Sequence, residues 1–316
     1  MSQPLPVAVV GVGYLGRFHA QKYRSLPGCE LIGVLDSDPA RARAVADELR
    51  VEAFTDLELL LPHVRAVSVA VPTAHHFPVA RRCMEAGVHT LVEKPIAATS
   101  AEAAELVAIA ERRGTILQVG YLERFNPAFL AARPRIRAPR FIEAIRIASF
   151  KERGIDVDVV LDLMSHDLDL VLAIVPSPLR ALHAVGVSVI TPRTDLANAR
   201  LIFEDGTVAN LTASRISAKS ERKLRVFQAD AYFSLDLAAP SARIFTVERP
   251  AGEQGLPAFR DESPPLETSD ALLAEIAAFL EAVRTGGPPS VTGRDGLAAI
   301  ELSERISADI ERNGRQ

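Results

Sequence analysis

The chain has 316 residues, a net charge of −4 and a pI near 6.0, with 48% hydrophobic and 24% charged residues. That length allows two domains and a large core, and the charge balance excludes the basic footprint of a nucleic-acid or anionic-membrane binder. The two cysteines, Cys29 and Cys83, have no metal-like spacing, so a disulfide scaffold is excluded and a reducing cytoplasm is expected.

The N-terminus has no basic region, and the apolar run over 7–12 passes straight into glycines, unlike a signal-peptide core. No stretch approaches the ~20 apolar residues of a membrane span, so a soluble protein is expected. Residues 7–10 predict a first strand, followed by a helix over 14–26 that stops at Pro27 and Gly28. A second strand spans 30–35, and Asp38 caps a helix that has Pro39 at its first position and runs to 49. A short third unit has a strand at 53–54 and a helix over 57–61. The fourth strand, 66–71, leads to a helix over 77–86 ended by Gly87. The fifth, 89–92, closes on Glu93-Lys94-Pro95. Ser100 is the expected cap of a helix running to 113, and 116–119 is a sixth strand. Strands alternating with helices at this spacing predict an α/β fold with a parallel, doubly wound sheet.

After Gly120 the rhythm changes. A long helix is expected over 158–175, then strand-like runs at 184–190, 198–203, 208–213, 224–227, 231–236 and 242–248, with a hairpin signal at Glu204-Asp205-Gly206. These predict an α+β domain on an open, mostly antiparallel sheet. The Pro-, Gly- and charge-rich stretch 250–265 reads as an exposed loop, and helices over 271–284 and 293–312 close the chain, the latter with Thr292 and Asp295 as a capping pair. The expected domains are 1–122 and 123–316.

Gly11-Val12-Gly13-Tyr14-Leu15-Gly16 follows the first strand and opens a helix, and Asp36 ends the second strand twenty residues after Gly16. This is the Rossmann context in which glycines let backbone N–H groups approach a pyrophosphate while the acid accepts from ribose hydroxyls. Asp36, with no arginine before Arg41, favours NAD over NADP. Val71, Pro72 and Thr73, then His75 and His76, lie after the fourth strand. One of the two histidines is a candidate cofactor contact, and helix capping explains them as well.

Oxidation of a secondary alcohol requires a base for the hydroxyl proton. Lys94, at the carboxyl edge of the sheet between Glu93 and Pro95, is the first candidate. A cationic nicotinamide and partial burial both lower a lysine pKa, and Pro95 restricts the Lys94 backbone. Asp162 and His166, spaced i, i+4, and Asp169 fall on about one stripe of the long helix, where a carboxylate can orient an imidazole. Asp167 falls off that stripe and reads as structural. Tyr121, Arg124 and Asn126, in the crossing to the second domain, are candidate substrate contacts, and Arg124 reads equally as a structural tether. Arg215, Lys219, Arg222, Lys223 and Arg225 suit either a phosphate-bearing substrate or a solvated face.

Together, the glycine turn, Glu93-Lys94-Pro95, and the pair Asp162 and His166 followed by Asp169 resemble the glucose–fructose oxidoreductase / inositol dehydrogenase (Gfo/Idh/MocA) family over essentially the whole chain. The resemblance implies an NAD(P)-dependent sugar oxidoreductase whose catalytic group is Lys94, Asp162 and His166. It also implies a cis Lys94–Pro95 peptide and a homodimer or homotetramer assembled through the open sheet face. Residues 120–127, 156–169 and Ala213-Ser214-Arg215 are similar to a branch associated with lipid A synthesis, some of whose members oxidise the 3-hydroxyl of UDP-N-acetylglucosamine. For that branch Arg215 is a candidate substrate contact and the substrate is a nucleotide sugar. A free sugar or an inositol, and a non-catalytic NAD-binding regulator, are the alternatives.

Overall fold

In the computed structural model, which describes residues 3–150, 157–248, 258–267 and 270–314, the chain divides into two compact units. One is Met1–Leu122 with Asp270–Ile300, the other Glu123–Ser269 with Glu301–Gln316. The first unit contains β1 (Leu5–Val10), α1 (Tyr14–Ser25), β2 (Cys29–Leu35), α2 (Pro39–Leu49), β3 (Glu52–Phe54) and α3 (Leu57–Leu60). It continues with β4 (Ala66–Val69), α4 (His76–Glu85), β5 (His89–Glu93), α5 (Ser100–Arg113) and β6 (Leu117–Gly120).

All six strands run parallel in the order β3-β2-β1-β4-β5-β6. That order has its switch point between β1 and β4, where such sheets bind ligands at their carboxyl ends. Val7, Val9, Val67 and Val69 are fully buried, as expected of strands covered on both faces. Asp38 caps α2 as expected, accepting from the Ala40 and Arg41 amides. The cap of α5 is Thr99 rather than Ser100: Thr99 accepts from the Glu102 amide and the Glu102 carboxylate returns to Thr99. A capping box needs its acid three residues after the cap, and only Thr99 stands in that register with Glu102.

The second unit contains α6 (Pro127–Ala132), β7 (Pro139–Ile147), α7 (Ser165–Ile174), β8 (Leu179–Val187), β9 (Leu196–Phe203) and β10 (Val208–Ser214). Beyond these lie β11 (Glu221–Gln228), β12 (Ala231–Asp236), β13 (Ser241–Glu248) and β14 (Ala258–Glu262). The sheet order is β14-β13-β12-β11-β7-β10-β9-β8, antiparallel throughout except for β10 on β7. Its inner face packs Ile142, Ala144, Val226, Phe233 and Ile244 against Met164, Leu168 and Val171.

Three features depart from the expectation. The central strand β7 has no counterpart in it, because the buried Arg146 interrupts the apolar alternation of Ile142 and Ala144 on the inner face. β14 occupies part of the stretch expected to be loop: pairing with β13 overrides its polar, largely exposed sequence. Residues 250–257 of that stretch, and Asp156, lie outside the described residues. Third, the long helix opens with a π-helical turn, Val160–Met164, ahead of α7.

The chain closes with α8 (Ala271–Thr285) and α9 (Gly293–Asn313), the latter started by Thr292 and Asp295 as expected. The expected boundary, which put all of 123–316 in the second domain, is corrected here. Ile276, Phe279 and Leu280 of α8 share one core with Val7, Tyr23 and Leu31 of the first unit. Among the described residues no helix is long and apolar enough to cross a membrane.

Candidate functional site

The glycine turn is shaped for close approach. Gly11 has φ +84°, and a Cβ there would lie 2.8 Å from the Ala70 backbone. A Cβ on Gly16 would run into the Gly11 carbonyl, whereas at Gly13 nothing lies within 4 Å. The first turn of α1 has neither a side-chain cap nor an acidic residue, so its amides remain directed at whatever anion lies before the helix. Tyr14 is 71% exposed and stacks edge-on against Phe18, and Leu15 is half-buried. Both line the start of α1, beside a cleft of about 570 Å³ formed by Val12, Gly13, Tyr14, Phe18 and Arg41.

Asp36 is buried at the end of β2, where it accepts from the Val12 amide at 2.9 Å and the Asp38 amide at 3.0 Å. Arg41 adds a contact at 3.3 Å that partly neutralises the carboxylate. The cradle at Gly11, Gly13 and Gly16 and the anchored Asp36 fit a dinucleotide: the turn would take the pyrophosphate and the carboxylate an adenosine ribose.

The Lys94–Pro95 peptide is cis, as the resemblance implies. Lys94 is half-buried and Glu93 buried. Gly120 makes room for Glu93, since a Cβ there would lie 2.9 Å from the carboxyl carbon. Val71 and Thr73 are half-buried and Pro72 is exposed, in the segment that follows β4.

His76 does not serve as sequence reasoning proposed. It caps nothing, the N-cap position of α4 being His75, which makes no side-chain cap bond. Both His76 ring nitrogens face carbonyls, Nδ1 at 2.6 Å from Pro95 and Nε2 at 2.9 Å from Val71. Burial holds its pKa below the usual histidine value, although the two carbonyls pull the other way. Its role is to join the segments that follow β4 and β5.

In the second unit, Asp162 lies within the π-helical turn and His166 in the first turn of α7, both half-buried. The wider winding of that turn means that Asp162, His166 and Asp169 do not form the simple α-helical stripe expected. Asp169 is buried and forms a two-pronged pair with Arg124, at 2.7 and 2.8 Å. Arg124 thus ties the turn around 122–125 to α7 within one unit, which favours the structural reading over a substrate contact along that edge of its guanidinium.

Asn126 is corrected more firmly. It is buried, caps α6 by accepting from Ala128, and donates to Glu123 and to the Leu237 carbonyl. Tyr121 is 1% exposed. Arg215 is buried and donates to the Val157 carbonyl. The cation run does not converge on one ligand. Lys219 and Lys223 pair with Glu221, Arg225 with Glu143, and Arg222 lies 3.5 Å from Glu123. Arg222 and Arg225 stand on opposite faces of β11, since side chains alternate along a strand.

Two polar networks escaped the sequence reading. Arg146 on β7 is buried against Asp167, at 2.9 Å through both nitrogens, and against Glu123 at 2.9 Å. Burial opposes the charge on Arg146, yet Asp167 and Glu123 outweigh it and hold the guanidinium more firmly protonated than usual. Asp167, off the stripe of Asp162 and His166, is thus engaged in a buried ion pair. In the first unit His19 and Glu93 pair at 2.8 Å within a buried cluster. The available signal was His19 itself, a polar residue on the same buried face of α1 as Gly16, Ala20 and Tyr23.

A glycine turn too tight for a side chain at Gly11 and Gly16, opening at the switch point of a parallel sheet with an acid anchored beside it, is the mark of a dinucleotide-dependent oxidoreductase. Residues 5–121 match the family model described as an oxidoreductase family with an NAD-binding Rossmann fold, and residues 146–233 match the GFO/IDH/MocA C-terminal domain. The chain belongs to the GFO/IDH/MocA oxidoreductase family, and its cofactor is NAD.

Among its relatives is UDP-N-acetylglucosamine 3-dehydrogenase of Acidithiobacillus ferrooxidans, 43% identical over 96% of this chain and 98% of that protein. A solved structure of that enzyme superposes with a TM-score of 0.92, covering 98% of this chain and 99% of the other at 39% identity. The scyllo-inositol 2-dehydrogenase (NAD(+)) of Bacillus subtilis is 28% identical over 99% of this chain and 96% of its own. Levoglucosan dehydrogenase in complex with NADH, at 18% identity and a TM-score of 0.87 over 98% of both chains, shares the fold.

Proposed function

We propose that this enzyme oxidises the 3-hydroxyl of UDP-N-acetylglucosamine to the 3-keto sugar, at the head of a route to lipid A. The observation that carries this reading is the 43% identity with the dehydrogenase of that name, over 96% of this chain and 98% of that one. Bound NAD supplies the hydride acceptor. The chain itself must hold the sugar and take the hydroxyl proton. We assign that proton to Lys94, with His166 as its partner in acid–base work and Asp162 orienting the imidazole. Gly11, Gly13, Tyr14, Leu15, Gly16 and Asp36 hold the dinucleotide, with Val71, Pro72, Thr73 and Glu93 around it.

The enzyme acts in the cytoplasm, in keeping with the free thiols of Cys29 and Cys83, and as a homodimer or homotetramer. A free sugar or inositol is the second reading. The pairing of the Lys219–Arg225 cations with carboxylates favours it, because it weakens the case for a diphosphate site.

Purified enzyme with NAD and UDP-N-acetylglucosamine should raise absorbance at the NADH band, with an aminotransferase and an amino donor added to draw off the ketone. No NADH from any UDP-sugar, alongside turnover of an inositol, would overturn the substrate assignment. Lys94→Ala should abolish turnover while NAD affinity stays within a few-fold. Persisting turnover would remove Lys94 from the chemistry.

A further inference from the structure

A chain of buried polar groups ends at Glu93, the residue before Lys94. Tyr23 and His19 project from α1, Ser68 from β4 and Glu93 from β5. Exposure is 1% for Tyr23, 0% for His19 and Ser68, and 8% for Glu93. The Tyr23 hydroxyl lies 2.8 Å from Ser68 Oγ, which lies 3.1 Å from His19 Nδ1. His19 Nε2 lies 2.8 Å from Glu93 Oε1, and the Lys94 backbone N–H donates to Glu93 Oε2 at 3.3 Å.

Burial pushes the Tyr23 pKa well above the usual phenol value, so its hydroxyl keeps its proton beside Ser68. With a proton on Nε2, His19 donates to Glu93 Oε1, while the Lys94 N–H donates to Oε2. Two donors therefore converge on Glu93, one on each oxygen, and fix its carboxyl group at the end of β5.

We propose that His19 and Glu93 are positioning residues for Lys94: they anchor the neighbouring carboxylate at the strand end, and its charge raises the affinity of Lys94 for the proton it handles. The need is physical. Partial burial and a cationic nicotinamide both push a lysine towards the neutral amine, and an amine that never regains a proton cannot serve the reverse reaction. A negative charge built into the strand end sets the balance. Other groups face the same spot. Glu275 of α8 brings a second buried carboxyl, its oxygen within 4.8 Å of the His19 nitrogen and the Glu93 oxygen. Gln118 of β6 donates to the Glu275 carbonyl. His76 of α4 lies within electrostatic reach of both, Glu93 favouring its protonated form and Lys94 opposing it.

The inference rests on Lys94 as the proton-handling group, and its test needs no substrate. The chain has five lysines, Lys22, Lys94, Lys151, Lys219 and Lys223, few enough for ¹³C reductive methylation to resolve each by NMR. Lys94 is assigned from Lys94→Arg and titrated in the enzyme saturated with NAD. In Glu93→Gln, Lys94 should titrate about one pH unit lower. The acidic limb of the kcat/KM profile should move the same way. Glu93→Asp should restore most of the difference, because it keeps the charge. His19→Gln, which weakens the donor, should move Lys94 in the same direction by less. An unmoved Lys94 titration in Glu93→Gln would overturn the proposal. Should Glu93→Gln fail to fold, an unmoved titration in His19→Gln would do so. Absence of NADH from the unmodified enzyme would instead count only against the substrate reading.

Discussion

We propose that Asp36 and Arg41, in contact at 3.3 Å, set coenzyme choice as a pair. The carboxylate accepts from two backbone amides and so cannot turn away, and it would repel a 2′-phosphate. Arg41, half-exposed and 3.3 Å from Asp36, is the cation that would meet that phosphate if the carboxylate were gone. Asp36→Ser keeps an acceptor for the Val12 amide while removing the charge. It should lower kcat/KM with NAD about tenfold and raise that with NADP about tenfold, each ~1.4 kcal/mol of transition-state binding. Steady-state kinetics with both coenzymes check this, and an unchanged NADP value would show that Arg41 does not reach the phosphate. The glycines and Asp36 were legible at this scale because each has one strong local reason to be where it is. Asn126 and His76 were not, because their partners, Glu123 and the Leu237, Pro95 and Val71 carbonyls, come from packing.

The turn between β8 and β9 shows how one buried acid organises an element. Asp195, 0% exposed, accepts from the successive amides of Val189, Ile190 and Thr191 and from the Thr191 hydroxyl. Burial alone would raise its pKa, but the bonds from Thr191, Ile190 and Val189 outweigh it and bring the value down to about 2. An unfolded aspartate titrates near ~3.9, so the folded state binds the proton less readily. This stabilisation is present in full above about pH 4 and fades as pH falls through the folded value near 2. Asp195→Asn carries no such charge. The difference in Tm between the two proteins should be constant from neutral pH to about 5 and narrow between about 4 and 2. A gap that ignores pH would mean that packing, not the carboxylate, holds the turn.

The same contrast explains which elements the sequence disclosed. The βαβ units were legible because glycine, proline and capping residues punctuate them. β7 and the allegiance of α8 were not, since Arg146 needs Asp167 and Glu123 to be tolerated inside, and α8 finds its core partners more than 240 residues upstream, from Phe279 to Leu31.

At the scale of the whole molecule, the outer face of the second unit's sheet carries more than a solvated surface needs. Phe141, Phe227, Tyr232 and Phe245 follow one another across β7, β11, β12 and β13, with ring centroids 5.7, 4.5 and 5.5 Å apart. Beside them the Arg225–Glu143 pair is neutral overall. Aromatic rows bordered by paired charges suit an interface between identical copies, because a two-fold axis sets the same row against itself. The homodimer or homotetramer proposed for this enzyme would bury this row. Tyr232→Asp puts a charge at its centre, where desolvation without a partner costs several kcal/mol. Light scattering after size exclusion at micromolar concentration should find the native chain as a dimer or tetramer and Tyr232→Asp shifted towards the monomer, with thermal unfolding showing the variant still folded. A native chain that is already monomeric there would leave the aromatic row without this function. An assembly untouched by Tyr232→Asp would move the interface to another face.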